Sequence, residues 1–217
     1  MDRPAAVYHT EATSVEGFVQ QVAVSYLTNG YFFFVQGWVP GGKNPLAVDE
    51  KLVERYGVGV SKWSRARRKR AGTACLHYIR HDRLFLLMAT HGQHPFFEEE
   101  RSSLKDARRS PIKAFGYAIS FRGGHSHVRI EMSEYKRLKA HMLELAAHRS
   151  RATVESAFLN VPFQPYAPVR RQLLNIWRAV NRARKQAGFE LVPVECIRMR
   201  RKIVKPFESA NQNSKDP

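Results

Sequence analysis

The chain has 217 residues and a formal net charge of +17, from 36 Lys and Arg against 19 Asp and Glu, and 24 of those cations are arginine. Apolar residues make up 43%, enough for a sizeable core, so composition excludes a disordered chain. The longest apolar runs, 31–35 and 84–89, fall far short of the ~20 residues a membrane span needs, and two cysteines, Cys75 and Cys196, exclude a disulfide framework.

Residues 1–13 lack periodicity and read as a flexible N-terminus; with Asp2, Arg3, His9 and Glu11 they do not resemble a signal peptide, which makes the cytoplasm the expected location. A helix is predicted over 14–27, where Thr13 and Glu16 have capping-box spacing and Val15, Phe18, Val19, Val22 and Tyr26 share a face. Asn29-Gly30 ends it, and 31–39 reads as a buried strand. Asn44-Pro45 starts a helix with Val48, Leu52 and Tyr56 on its apolar stripe, closed by Gly57. Ser61 caps a short helix running through Ala71 to Gly72. Strands are expected over 73–80 and 84–91, turning at His81-Asp82-Arg83, and over 114–121 and 126–132, turning at Gly123-Gly124. From there the period becomes helical. Ser133 caps a helix with Tyr135, Leu138, Met142 and Leu145 on one face, a short helix follows at 153–159, and a long one runs over 168–187 to Gly188. A last strand is expected at 191–196, and 207–217 reads as a disordered tail.

Cations gather at three places. On the long helix, Val169, Leu173, Ile176, Trp177 and Val180 fall within about 100° of arc, and Arg171, Arg178, Arg182 and Lys185 within about 60° on the opposite side. No acid occurs between Glu155 and Glu190, so this helix forgoes the Glu–Lys pairs that normally support a solvated face. The segment 62–70 holds Lys62, Arg65, Arg67, Arg68, Lys69 and Arg70, with Trp63 at its start either anchoring the helix to the core, the role favoured for a lone tryptophan, or stacking on a base. The third cluster is Arg198, Arg200, Arg201, Lys202 and Lys205; on a strand, Arg198, Arg200 and Lys202 would share a face. Arginine's planar fork suits phosphate, so the expected partner is DNA or RNA.

His125 and His127 flank Ser126 in an expected strand and so share a face, an arrangement that can grip one metal ion, with Arg129 extending it toward a phosphate. With the antiparallel hairpins and the downstream tyrosines Tyr135 and Tyr166, these residues resemble the HUH endonucleases. That family holds a divalent metal on a His-hydrophobe-His strand and attacks single-stranded DNA with a helix-borne tyrosine. The chain departs from its pattern at Ser126, where the family prefers an apolar residue. The resemblance implies an alternative to binding alone: a metal-dependent single-strand nuclease or strand-transferase, with Mg or Mn at His125 and His127 and Tyr166 as nucleophile. A second group, His91 and His94 before Glu98, Glu99 and Glu100, with Cys75 and His77 on the partner strand, matches no standard zinc spacing. There is no GxxxxGK[ST] loop, GxGxxG, GxSxG elbow or HExxH.

The expected architecture is α+β, with a mostly antiparallel sheet of about five strands in two hairpins, packed helices and a helical C-terminal portion. Residues 14–206 read as one domain, divisible into a sheet part at 14–132 and a helical part at 133–206. The expected function is nucleic-acid binding through Lys62, Arg65, Arg67, Arg68, Lys69, Arg70, Arg129, Arg171, Arg178, Arg182, Lys185, Arg198, Arg200 and Lys202, without a membrane, in a mobile-element, replication or ribonucleoprotein apparatus.

Overall fold

The computed structural model describes residues 8–208; residues 1–7 of the expected flexible N-terminus and 209–217 of the expected tail lie outside the described residues. The protein is α+β, with a four-stranded and a three-stranded antiparallel sheet and a helical C-terminal part. Among the described residues, one compact unit comprises 8–114, 119–126 and 204–208, and a second comprises 115–118 and 127–203.

In the first unit, α1 (Val15–Gln20) is capped by Ser14, whose Oγ accepts the Gly17 N–H at 3.1 Å. Thr13 is not the cap: its hydroxyl donates to the Glu208 carbonyl at 2.9 Å. The helix widens to a π segment at 21–26, tightens to 3-10 at 27–29 and ends at Gly30, whose φ of +86° suits glycine. β1 (Phe33–Trp38) follows, then α2 (Pro45–Arg55), capped by Asn44 with proline in its first turn. After α3 (Lys62–Arg70) come β2 (Leu76–His81), β3 (Leu84–Ala89), the single turn α4 (Phe96–Glu99) and the short strands β4 (Lys105–Asp106) and β5 (Ile112–Ala114). The larger sheet has the order β2-β3-β1-β4. β2 and β3 close a hairpin in which His81 pairs with Leu84 across Asp82-Arg83, and Asp82 takes a φ of +51°. Val35, Tyr56, Val58, Leu76, Tyr78, Leu87, Ala89 and Phe96 form a buried cluster on it.

Residues 10–12 run along β2, where Arg80 N donates to the Thr10 carbonyl at 2.8 Å and Ala12 N to the Arg80 carbonyl at 2.7 Å. This places Glu11 beside an ion pair the sequence does not announce. Asp49 on α2 is 1% exposed and Arg80 on β2 is 2% exposed. Arg80 Nε donates to both Asp49 oxygens at 2.9 and 3.0 Å, and its Nη atoms donate to the Glu11 carboxylate at 3.0 and 2.8 Å. The Tyr78 hydroxyl (2.6 Å) and the Thr10 hydroxyl (3.0 Å) also donate to Asp49. Two buried charges are tolerated because nearly every donor and lone pair between them is occupied.

The smaller sheet has the order β5-β6-β7, with β6 at Tyr117–Arg122 and β7 at His125–Ile130. The turn between β6 and β7 is Gly123-Gly124, both at positive φ, the pattern of a type I′ hairpin.

In the second unit, α5 (Met132–His148) is capped by Glu131, whose carboxylate accepts the Ser133 N–H at 2.7 Å, so Ser133 is a first-turn residue and not the expected cap. α6 (Arg151–Leu159) is capped by Ser150, and α7 spans Ala167–Gln186 with Pro168 in its first turn and Gly188 beyond its end. Met142, Ala146, Val154, Phe158, Val169, Leu173, Ile176 and Val180 are buried in this unit. The strand expected at 191–196 does not form; the segment ends in a 3-10 turn, Val194–Cys196. Side chains of α7 take the place of a strand partner there. Asn181 Oδ1 accepts the Val192 N–H at 2.8 Å, and Asn181 Nδ2 and Trp177 Nε1 donate to the Val192 carbonyl at 2.8 and 2.9 Å. Pro193 then lacks the N–H a ladder would need. Among the described residues no helix is long and apolar enough to cross a membrane.

Candidate nucleic-acid interface

α7 sorts its side chains by helical position. Val169, Leu173, Ile176 and Val180 are buried, while Arg171, Asn175, Arg178, Arg182 and Lys185 are exposed. The exposed set recurs every three or four residues and runs about 21 Å along the axis at 1.5 Å per residue. Among the described residues, none of its four cations forms an ion pair. Trp177 is half-buried, held by its bond to Val192, and is less enclosed than the apolar arc predicts.

Not every arginine of α7 belongs to that stripe. Arg184 is 2% exposed and donates from Nε to the Glu190 carbonyl at 2.6 Å and from Nη1 to the carbonyls of Arg149 (2.9 Å) and Ala146 (3.3 Å). Those last two carbonyls belong to the end of α5, so Arg184 caps another helix at its negative pole. Arg184→Ala is expected to lower stability by about 2–3 kcal/mol, since it removes charge-assisted bonds and strands the buried Ala146 carbonyl. Arg182→Ala, two residues away and exposed, should change stability by less than about 0.5 kcal/mol. Urea unfolding of the two variants checks the contrast.

The third cluster is not a strand, so the alternation of Arg198, Arg200 and Lys202 makes no common face. Arg198 is spent inside the unit, donating to the carbonyls of Val161 and Phe163. Arg200 and Lys202 are exposed, as is Arg129 on β7. Arg170 donates to the Met199 carbonyl at 2.9 Å, tying this segment to the start of α7.

α3 has no buried residue and is positioned by its own cations. Ser61 caps it, Arg65 Nη2 donates to the Val58 carbonyl at 3.0 Å, Arg68 Nη1 to the Gly57 carbonyl at 3.3 Å and Lys69 Nζ to the Asn29 carbonyl at 3.0 Å. Arg65 and Arg68 therefore serve as anchors, while Lys62, Arg67 and Arg70 stay exposed. Trp63, expected in the core, is 81% exposed. At helical spacing Trp63, Arg67 and Arg70 share one face within about 60°, and Lys62, Arg65, Ala66 and Lys69 share another within about 100°.

That second face closes over two cavities of about 340 and 290 Å³. Both are lined by Gln21, Tyr26, Lys62, Arg65 and His77; the first adds Tyr31 and Lys69, the second Tyr8. Tyr26 stacks on the His77 ring at 4.4 Å and Tyr31 lies tilted against it at 4.6 Å. The Tyr8 hydroxyl donates to the Tyr78 carbonyl at 2.7 Å and sits 3.2 Å from His77 Nδ1. With the phenol proton so committed, Nδ1 is the protonated nitrogen of a neutral ring and Nε2 keeps its lone pair. Burial, then the charges of Arg65 and Lys69, pull the His77 pKa down to about 3. Sequence reasoning missed this site because Tyr26 and Tyr31 read locally as core and His77 groups with Cys75 beside His91 and His94, and only the fold brings the three rings under α3.

His125 and His127 both lie on β7, the first exposed and the second half-buried. Among the described residues no group of three or more His, Cys, Asp or Glu is placed to hold a metal ion, at these histidines or at His91 and His94. Cys75 is buried, its thiol against the Arg65 carbonyl at 3.4 Å. Tyr166 stands at the N-cap position of α7 without a side-chain capping bond; its hydroxyl accepts from Arg201 Nη1 at 3.2 Å, and the Arg201 guanidinium lies 4.9 Å over its ring. No protein-family model matches the chain, and no curated protein matches it.

Proposed function

We propose that the protein binds DNA or RNA through its phosphates, with the exposed face of α7 as the main contact and the Trp63–Arg67–Arg70 face of α3 as a second. The observation that carries this reading is the α7 stripe: Arg171, Arg178, Arg182 and Lys185 are all exposed on one side of a helix with no acid. Like charges three and four residues apart destabilise a helix in isolation, and an anionic partner offsets that cost. Phosphate contacts of this kind read no sequence, so binding is expected to tolerate sequence changes. An exposed tryptophan beside two arginines adds a surface on which an unpaired base can stack. A cytoplasmic location, where nucleic acid is at hand, fits this function.

The test is direct binding of fluorescein-labelled duplex and single-stranded DNA and RNA, followed by anisotropy. Dissociation constants of about 1–100 µM at physiological salt, tightening steeply as salt falls, are expected. No binding to any of the four at low salt would refute the proposal.

A further inference from the structure

We propose that the cleft under α3 is a nucleotide site, in which Lys62, Arg65 and Lys69 hold a phosphate and the Tyr26–Tyr31–His77 cluster receives the base. Its lining residues all belong to the first unit, and the proposal does not depend on the α7 stripe. Among the described residues, three cations line the two cavities and no Asp or Glu does. In a concave, partly dehydrated place that positive field is uncompensated, and it favours an anion. Arg65 Nε adds a specific demand, being buried with no acceptor in reach; such a donor is costly to leave unmade. A shift of the Arg65 side chain toward the cleft would give Nε a phosphate oxygen as acceptor.

The aromatic side of the cleft selects what accompanies the anion. Tyr26, Tyr31 and His77 form a rigid, mutually packed surface. None of them adds charge, since His77 is neutral and burial pushes the Tyr31 hydroxyl up to about 12. Gln21, Ser25 and Asn29 border the same cavity with amide and hydroxyl groups suited to the polar edge of a base. Lys69 Nζ sits 5.0 Å over the Tyr31 ring, so one residue spans the cationic and aromatic parts. The two cavities have the size of small-ligand pockets, about 300–1,000 Å³. A planar base carrying a phosphate satisfies both halves, while inorganic phosphate or a nucleoside satisfies one. The nucleotide is either free or one unit of a strand.

The experiment is a titration of the isotope-labelled full chain with adenosine 5′-monophosphate, adenosine, inorganic phosphate and a single-stranded DNA hexamer, read by NMR. The monophosphate should move the ring signals of Tyr26, Tyr31 and His77 and bind at least about tenfold tighter than adenosine or phosphate alone, one charge-assisted bond being worth about that factor. Lys62→Gln with Lys69→Gln should weaken it about tenfold or more, and Lys62→Gln alone, which breaks no contact of α3, should still weaken it measurably. A hexamer that moves the same rings more tightly than the monophosphate assigns the source as a strand; the reverse order assigns a free nucleotide. Unmoved ring signals with all four ligands, or phosphate binding as tightly as the monophosphate, would overturn the site. Replacing the four α7 cations should leave monophosphate binding intact, so loss of the α7 interface and loss of this cleft are separable results.

Discussion

Asp49→Ala is expected to destabilise the protein by about 3–5 kcal/mol, the cost of removing one partner from a buried ion pair. Arg80 would keep Glu11 but lose the carboxylate that holds its Nε, and the Tyr78 and Thr10 hydroxyls would lose their acceptor as well. The position is on α2 against β2, where no water reaches a 1%-exposed side chain to replace those bonds. Glu11→Gln should cost no more than about 1 kcal/mol, because that carboxylate is about half exposed and screened. Replacing Asp49 and Arg80 together by Leu and Met should recover much of the loss, since a buried pair is worth little net against apolar packing. Urea denaturation of the three variants reads this. A loss below about 1 kcal/mol for Asp49→Ala would mean that the network is wet or not formed.

Changing Arg171, Arg178, Arg182 and Lys185 together to Gln should weaken nucleic-acid binding about a thousandfold at about 0.1 M salt, since four fewer phosphates release their counterions. Glutamine keeps helix propensity close to that of arginine, and the four side chains are exposed, so the fold should be unaffected. The informative control removes the same charge elsewhere: Lys43, Arg101, Arg109 and Arg122, all exposed in the first unit, changed to Gln. If binding were a response to net charge alone, the two variants would behave alike. The stripe predicts a loss of less than about tenfold in the control, from long-range field alone.

How much of this the sequence shows depends on how local the cause is. Helix ends with a polar cap or a glycine are read correctly at Asn44, Ser61, Gly72 and Gly188, because the signal lies within one turn. Both tight hairpins are legible for the same reason, as is the division of α7 into an apolar and a basic side. Two caps fall one or two residues from the expected place: the Thr13 hydroxyl is drawn to the distant Glu208 carbonyl, and the Glu131 carboxylate accepts the Ser133 N–H. β4 and β5, at two and three residues, are too short to show a period. The supposed strand at 191–196 fails because Asn181 and Trp177, ten or more residues earlier, satisfy Val192. Charge is the hardest to read. Arg184 and Arg182, or Arg65 and Arg67, differ by two positions and have opposite fates, one spent on buried carbonyls and the other on the surface. The cleft under α3 is wholly non-local, built from residues about 50 positions apart.

The measurement closest to the central claim is the slope of log K against log salt for duplex DNA, taken on the wild-type protein and on the α7 variant. If at least six phosphates are neutralised, the wild-type slope should be about −5 or steeper, and the variant should be shallower by about 3–4, close to 0.9 for each of the four lost cations. Single strands should give about −4 for the wild type. A wild-type slope near zero, or the same slope in both proteins, would contradict phosphate binding along α7.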